Sequence, residues 1–435
     1  MTSEILIMNK NCVALAADSA STVWRRDNPK IFSADKIFSL SGRHPVGIMT
    51  YNVSEISGVP IDVLVKEFRS SLGDASFSSV EEYAESFFRF INTGQAVGTV
   101  RKRSPMIPSD LADQEVAFLI AGLWREMRLN ADKLMNKILN NHLEGTVIDR
   151  NMLGDISRDS MRSVVAEMIG GCTVDLGTKR SRSIMKKISE VLDDSYVDYL
   201  DSGSKYDLEE HLEPLIKILA DRVISLNGLE HYTGLVFAGY GEKELFPSFV
   251  EYKVYGYLFG ELRHKKIDEK SICAGLPSWI EPFAQGDVAE TFLFGMSAEL
   301  ENELLCGFED ALDDATSAIV RDLDGNDLYR GQIKKSNEKM MADLRTDINE
   351  YLEKKYLWPT ETMVRFLSKD ELASMAESLI NITSLRRRVS DDVETVGGPV
   401  DVAVISRGEG LKWIKRKQYF DEELNHYNTD AYKEN

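Results

Sequence analysis

The chain has 435 residues, with 52 Lys+Arg against 71 Asp+Glu, a formal charge of −19, and it is 43% apolar and 28% charged. That balance supports a buried core and excludes a chain disordered by composition. It also argues against a nucleic-acid binder or a polybasic membrane adherent, since both meet phosphate with an excess of Lys and Arg.

Cys12, Cys172, Cys273 and Cys306 lie far apart with no C-x-x-C pair, so neither a zinc ribbon nor a disulfide framework is expected, and a reducing cytoplasm is. The six histidines never recur at i, i+4, which gives a helical metal site no support. No run approaches the roughly 20 apolar residues that span a bilayer. The N-terminus does not read as a secretion signal.

In chain order, Glu4-Ile5-Leu6-Ile7-Met8, the turn Asn9-Lys10-Asn11 and Cys12 to Asp18 predict a hairpin whose strands, nearly continuous in apolar residues, are covered on both faces. A second pair follows, Lys36 to Leu40 and Val46 to Thr50, around a turn at Ser41-Gly42. Helical periodicity takes over from about 58 to 230, carried by Ile61, Val65, Phe68 and Leu72, then Val116, Ile120, Leu123 and Met127, then Leu215, Ile218 and Leu219. The likeliest breaks are Lys102-Arg103-Ser104-Pro105 and Gly170-Gly171.

Strands return at Tyr232 to Gly239 and at Phe249 to Tyr255, with a further short strand expected at Ile272 to Gly275. Helices dominate from about 287 to 388, one of them opened by the capping box Ser368-Lys369-Asp370-Glu371. Gly397-Gly398 then introduces a strand at Val400 to Ile405 and another at Leu411 to Ile414. Runs of strands alternating with runs of helices imply an α+β fold with antiparallel sheets, not βαβ units.

Three other motifs have plainer readings. Asp322 to Asp327 is a solvated turn, because its glycine is misplaced for a calcium loop. Gly239-Tyr240-Gly241 is a hairpin turn, and Arg386-Arg387-Arg388 decorates a helix C-terminus. Cys12, inside an apolar strand, reads as core.

Thr2, the hairpin ending Ala14-Leu15-Ala16-Ala17-Asp18, Lys36-Ile37-Phe38, the central strand Gly234 to Gly239 and the late Gly397-Gly398 pair with its strand form an ordered set. In that order they resemble the β-subunits of the proteasome, within the N-terminal nucleophile hydrolases. The resemblance implies a four-layer αββα sandwich. Its core would be discontinuous, at 2–99, 231–300 and 366–415, with helical insertions at 100–230 and 301–365 and a C-terminal tail at 416–435.

It also implies chemistry. With Met1 removed, Thr2 carries a hydroxyl and an α-amine whose ordinary pKa is near ~8, so the amine can take the hydroxyl proton. Asp18 closes an apolar run, where a carboxylate needs a partner, and Lys36 opens the next strand. The resemblance makes these two a buried pair beside the nucleophile. Asp18 could instead begin a turn with Ser19, and Lys30, in Pro29-Lys30-Ile31-Phe32, is a rival to Lys36. By the same resemblance Thr22 offers backbone to an extended substrate and the Thr50 N–H meets the oxyanion, where the family carries glycine. Asp287 and Asp392 stand at supporting positions, Asp287 in place of a serine, while Val396 falls where the family has another serine.

The expected activity is a threonine-type peptidase acting on peptide or protein, with no metal or cofactor, in a homo-oligomer with a possible regulatory ATPase. The alternatives are a catalytically silent scaffold and a small-molecule amidase of the same fold.

Overall fold

The first strand shows why the opening of the chain is so evenly apolar. In β1 (Ser3–Asn9), Ile5 and Ile7 face one hydrophobic cluster while Leu6 and Met8 face another, so both sides of the strand are buried. A computed structural model describes residues 3–25, 28–94, 106–107, 109–142, 150–192, 196–197, 200, 206–229, 231–284, 287–322, 327–389 and 397–417.

The strands after β1 are β2 (Val13–Asp18), β3 (Ala20–Arg25), β4 (Asn28–Ser33), β5 (Ile37–Ser39), β6 (Val46–Asn52), β7 (Glu55–Ile56) and β8 (Val59–Pro60). Helices α1 (Ile61–Leu72), α2 (Val80–Thr93), α3 (Ser109–His142), α4 (Arg150–Gly170), α5 (Lys179–Val191) and α6 (Leu212–Ser225) follow. Then come β9 (Thr233–Gly239), β10 (Ser248–Leu258), β11 (Glu261–Ser271) and β12 (Ser278–Ala284). Helices α7 (Asp287–Phe294), α8 (Ala298–Asp322), α9 (Asp327–Leu352), α10 (Trp358–Val364) and α11 (Lys369–Val389) lead to β13 (Val400–Ser406) and β14 (Gly410–Lys415). This is an α+β fold.

Two five-stranded antiparallel sheets carry the architecture, in the orders β12-β1-β2-β13-β14 and β11-β10-β9-β6-β5. Leu6, Met8 and Leu15 of the first meet Met49, Val236 and Phe249 of the second in a shared cluster. On its other face the first sheet packs Ile5, Ile7 and Val402 against Leu372, Ala376 and Leu379 of α11. The second packs Val46, Ile48 and Phe237 against Phe68 of α1 and Tyr83 and Phe87 of α2. Each such side chain taken from water contributes roughly 1.5–3 kcal/mol before entropy is charged.

Helices α3 to α6 share a separate cluster, with Trp124, Met161, Ile188 and Ile218 in it, which reaches the sheets through Leu258 of β10. Helices α8 and α9 pack as a hairpin, with Asn337 Nδ2 donating to Thr316 Oγ1 at 2.8 Å.

Some expectations are corrected. Ile272 to Gly275 is not a strand: Ile272 follows the end of β11, and its N–H donates to the Pro247 carbonyl. The strands β3, β4, β7, β8, β11 and β12 lie where no strand was expected. Gly170 ends α4 as expected, whereas the break at 102–105 and most of the turn at 322–327 lie outside the described residues.

Candidate active site: a buried lysine between two carboxylates

Asp18 ends β2 at the point where the sheet opens, and its side chain is completely buried. A carboxylate there needs compensation, which four groups supply. Lys36 Nζ donates to Oδ1 at 2.5 Å, and the Ser3 amide donates to the same oxygen at 3.0 Å. The amides of Gly397 and Ala20 donate to Oδ2 at 2.9 and 3.3 Å. One carboxylate thus ties together the start of β1, the end of β2, the loop before β5 and the glycine pair before β13.

Thr2 lies outside the described residues. Its neighbour Ser3 does not, and the bond from the Ser3 amide to Asp18 holds the chain's first strand beside Lys36. Glu4, which was not among the expected site residues, is buried one residue further on and brings Oε1 to 3.3 Å from Lys36 Nζ. Lys36, itself 4% exposed, therefore sits between two carboxylates. Glu4 was hidden because its strand reads as apolar and a single carboxylate at the strand's start looks like an exposed end.

A second buried lysine stands behind the first. The Lys417 side chain is 4% exposed and pairs with Asp401 at 3.0 Å and Asp35 at 3.1 Å. Its Nζ also donates to Ser19 Oγ at 3.1 Å and to the Ala34 carbonyl at 2.5 Å. It braces the segment 34–35 that delivers Lys36. This side chain belongs to the stretch 416–435 that was expected to be a tail, and its partners lie too far away in sequence for any local pattern to reveal it.

Thr50 does not serve as expected. Its amide donates to the Lys36 carbonyl at 2.8 Å, so this N–H is committed to the sheet and cannot meet an oxyanion. Alternation along an antiparallel edge puts the Asn52 N–H on the same side, one step beyond Lys36. Asn52 has φ 66°, a left-handed turn at the strand's end that asparagine tolerates better than most residues. The Thr50 hydroxyl is buried without a hydrogen-bond partner. It lines a cleft with Ser21, Ala34, Lys36, Tyr51 and Asn52 whose volume is about 10 Å³. That is room for about one water.

The remaining expected residues are only partly placed. Thr22 lies in β3 opposite Ile31 of β4, and Lys30, the rival to Lys36, lies in β4 opposite Val23. Asp287 is the first residue of α7, and Asp392 and Val396 lie outside the described residues. Among the described residues no group of three or more His, Cys, Asp and Glu could hold a metal ion, and no helix is long and apolar enough to cross a membrane. Cys12 is buried, and desolvation pushes its thiol up to about 11, which suits a core residue and not a nucleophile.

Next to this centre, between the sheets, Tyr51 hydrogen-bonds Glu251 and stacks on Phe283 at 5.7 Å. Burial raises both the phenol and the Glu251 carboxyl above their ordinary values. Glu281, on the same face of β12 as Phe283, accepts from Trp279 Nε1 at 2.8 Å. Desolvation pushes it up to about 7, with Asp268 and Glu251 adding to the rise.

No family of known proteins matches the sequence, and no curated protein does. Among solved structures the chain is similar to an Anbu (Gly-1) mutant from Hyphomicrobium sp. strain MC1, at 10% identity over 99% of this chain and 94% of that one, with a TM-score of 0.28. A superposition that loose sets no residue of this chain against a residue of that one.

Proposed function

We propose that the chain is an N-terminal threonine amide hydrolase, a proteasome-like peptidase built on a four-layer αββα sandwich. The observation that carries this reading is the Asp18 carboxylate. It holds the Lys36 ammonium at 2.5 Å and, through the Ser3 amide at 3.0 Å, the backbone directly after Thr2.

Once Thr2 is freed as the terminal residue, by loss of Met1 or of any longer leader, its Oγ attacks the substrate carbonyl carbon. The α-amine takes the hydroxyl proton and returns it to the leaving amine. The Lys36 ammonium, fixed by Asp18 and Glu4, stabilises the negative charge that develops nearby. The Asn52 amide is the oxyanion donor in this scheme. The resulting ester between Thr2 and the acyl group is then hydrolysed by water. Asp287 and Asp392 remain proposed supports, and Thr22 a proposed backbone contact for an extended substrate. Cleavage of peptides inside a reducing compartment, with or without an unfolding ATPase, is part of the same reading. So is the division into a core at 2–99, 231–300 and 366–415 with helical insertions between.

The small cleft with the unpaired Thr50 hydroxyl favours substrates with a small side chain at the cleaved bond. The same narrowness supports a second reading, a silent scaffold that keeps the charge cluster only for stability. Intact mass combined with a peptide vinyl sulfone or boronate probe separates the two. Expected is loss of the residues before Thr2 and one adduct, absent in Thr2→Ala. A retained Met1, or an adduct that persists in Thr2→Ala, overturns the hydrolase reading.

A further inference from the structure

Helix α8 carries two apolar faces, and only one of them is covered. Leu305, Thr316 and Val320 are buried, and Thr316 accepts from Asn337 of α9. At 100° per residue, Leu300, Leu304, Gly307, Phe308, Ala311, Ala315, Ala318 and Ile319 fall in an adjacent sector of about 120°, whose edge also holds Glu301. That sector runs along most of the helix. Leu300, Leu304, Phe308 and Ile319 are each about half exposed, and a Cβ at Gly307 would meet nothing within 4 Å.

Helix α9 continues the same face. The hollow between the two helices, lined by Leu312, Met341 and Ala342 as well as Glu309, Lys334 and Arg345, lies on one side of the hairpin. Met340 and Tyr351, 48% and 60% exposed, point to the other side by the same periodicity, beside the α8 sector. The large side chains of this face leave roughly 600 Å² of apolar surface open. A standard interface takes about 800 Å² from each partner, about 65% of it apolar at the core. The exposed face is therefore the size that one partner supplies.

We propose that this face is a two-fold interface with a second copy of the chain, α8 packing antiparallel on α8 of the copy. The pattern is self-complementary, which an isologous contact requires. In one antiparallel register Phe308 meets Ala311 of the copy, Leu304 meets Ala315 and Leu300 meets Ile319. Two of these three pairings set a large side chain against a small one, and the row of Ala311, Ala315 and Ala318 lets the helices approach closely. Met340 and Tyr351 close the interface on one flank. The other flank carries Glu299, Glu303, Asp310 and Asp314, which face their own images across the dyad. Association therefore strengthens as salt screens that repulsion, the reverse of what a basic partner would show.

The test uses the full chain, by sedimentation at micromolar concentration across a range of ionic strength. A dimer whose Kd falls several-fold with added salt is expected. Ala311→Lys and Phe308→Glu, both at exposed positions, should shift the chain to monomer with unchanged circular dichroism. Should Phe308→Glu fail to fold, Ala311→Lys alone decides. With Cys273→Ser and Cys306→Ser in the background, mixed Phe308→Cys and Ala311→Cys chains should form a disulfide-linked pair, and neither should link to a Leu245→Cys chain. A monomer at every salt concentration, or a dimer that survives Ala311→Lys, overturns the proposal. None of these readouts depends on hydrolase activity.

Discussion

Replacing Lys36 by methionine leaves the Asp18 and Glu4 carboxylates buried against each other with no ammonium between them. Breaking a buried pair from one side costs about 3–5 kcal/mol, so Lys36→Met should melt well below the parent, and its probe labelling should vanish. Asp18→Asn keeps the shape but loses the charge that holds both Lys36 and Gly397, and a loss of similar size is expected by denaturant titration. Glu281 makes a prediction of opposite sign. Its folded pKa, about 7, lies above the ordinary 4.5, so the folded state holds the proton more tightly. Stability is then highest below pH 4.5 as far as this group is concerned, and falls as pH rises to 7, by roughly 3 kcal/mol in total. Glu281→Gln should remove that slope and melt above the parent at pH 8. At this scale Asp18 and Lys36 were legible because a charge at the end of an apolar run demands a partner. Glu4 and Lys417 were not, because Glu4 stands at a strand's start like an exposed end and Lys417 lies beyond the last strand.

Two of the strands that sequence patterning missed share a cause. Both β11 and β12 are edge strands, and edges are built against the very signals that identify strands. The charged run Lys265-Lys266 sits in β11, and Pro282 sits in β12, where its missing N–H costs least. The inner strands β1, β2, β9 and β13, buried on both faces, were readable as apolar runs. In β9, Gly234 leaves room for the Tyr51 ring, since a Cβ there would lie 2.2 Å from it. Gly234→Ala should displace Tyr51 from Glu251 and cost about 1–3 kcal/mol, checked by thermal melting together with tyrosine fluorescence. The cap of α11 behaves as its sequence suggested on one side only. Glu371 accepts from the Ser368 amide at 2.9 Å, while the Ser368 hydroxyl turns to the carboxylates of Asp370 and Glu371. Glu371→Ala is therefore expected to lower stability by about 1 kcal/mol in chemical denaturation.

At the scale of the molecule, three clusters among the described residues bind the sheets to each other and to their helices, and a fourth belongs to α3 through α6. The apolar stripes at 116–127 and 215–223 made α3 and α6 visible, but the way α3 through α6 share one core depends on contacts between segments far apart in sequence. The hairpin of α8 and α9 was legible as helix and illegible as a surface, because an apolar stripe reads alike whether its own chain or another covers it.

The bonds around Asp18 also set an order of events during synthesis. Asp18 and Lys36 leave the ribosome well before their partners: the Gly397 amide arrives 379 residues after Asp18 and the Lys417 brace 383 residues after Ala34. A nascent chain accordingly carries both ionised groups without their final cradle. The cradle around Asp18 is therefore completed only once the segment 397–417 has been made, after every other strand of the two sheets it joins except β13 and β14.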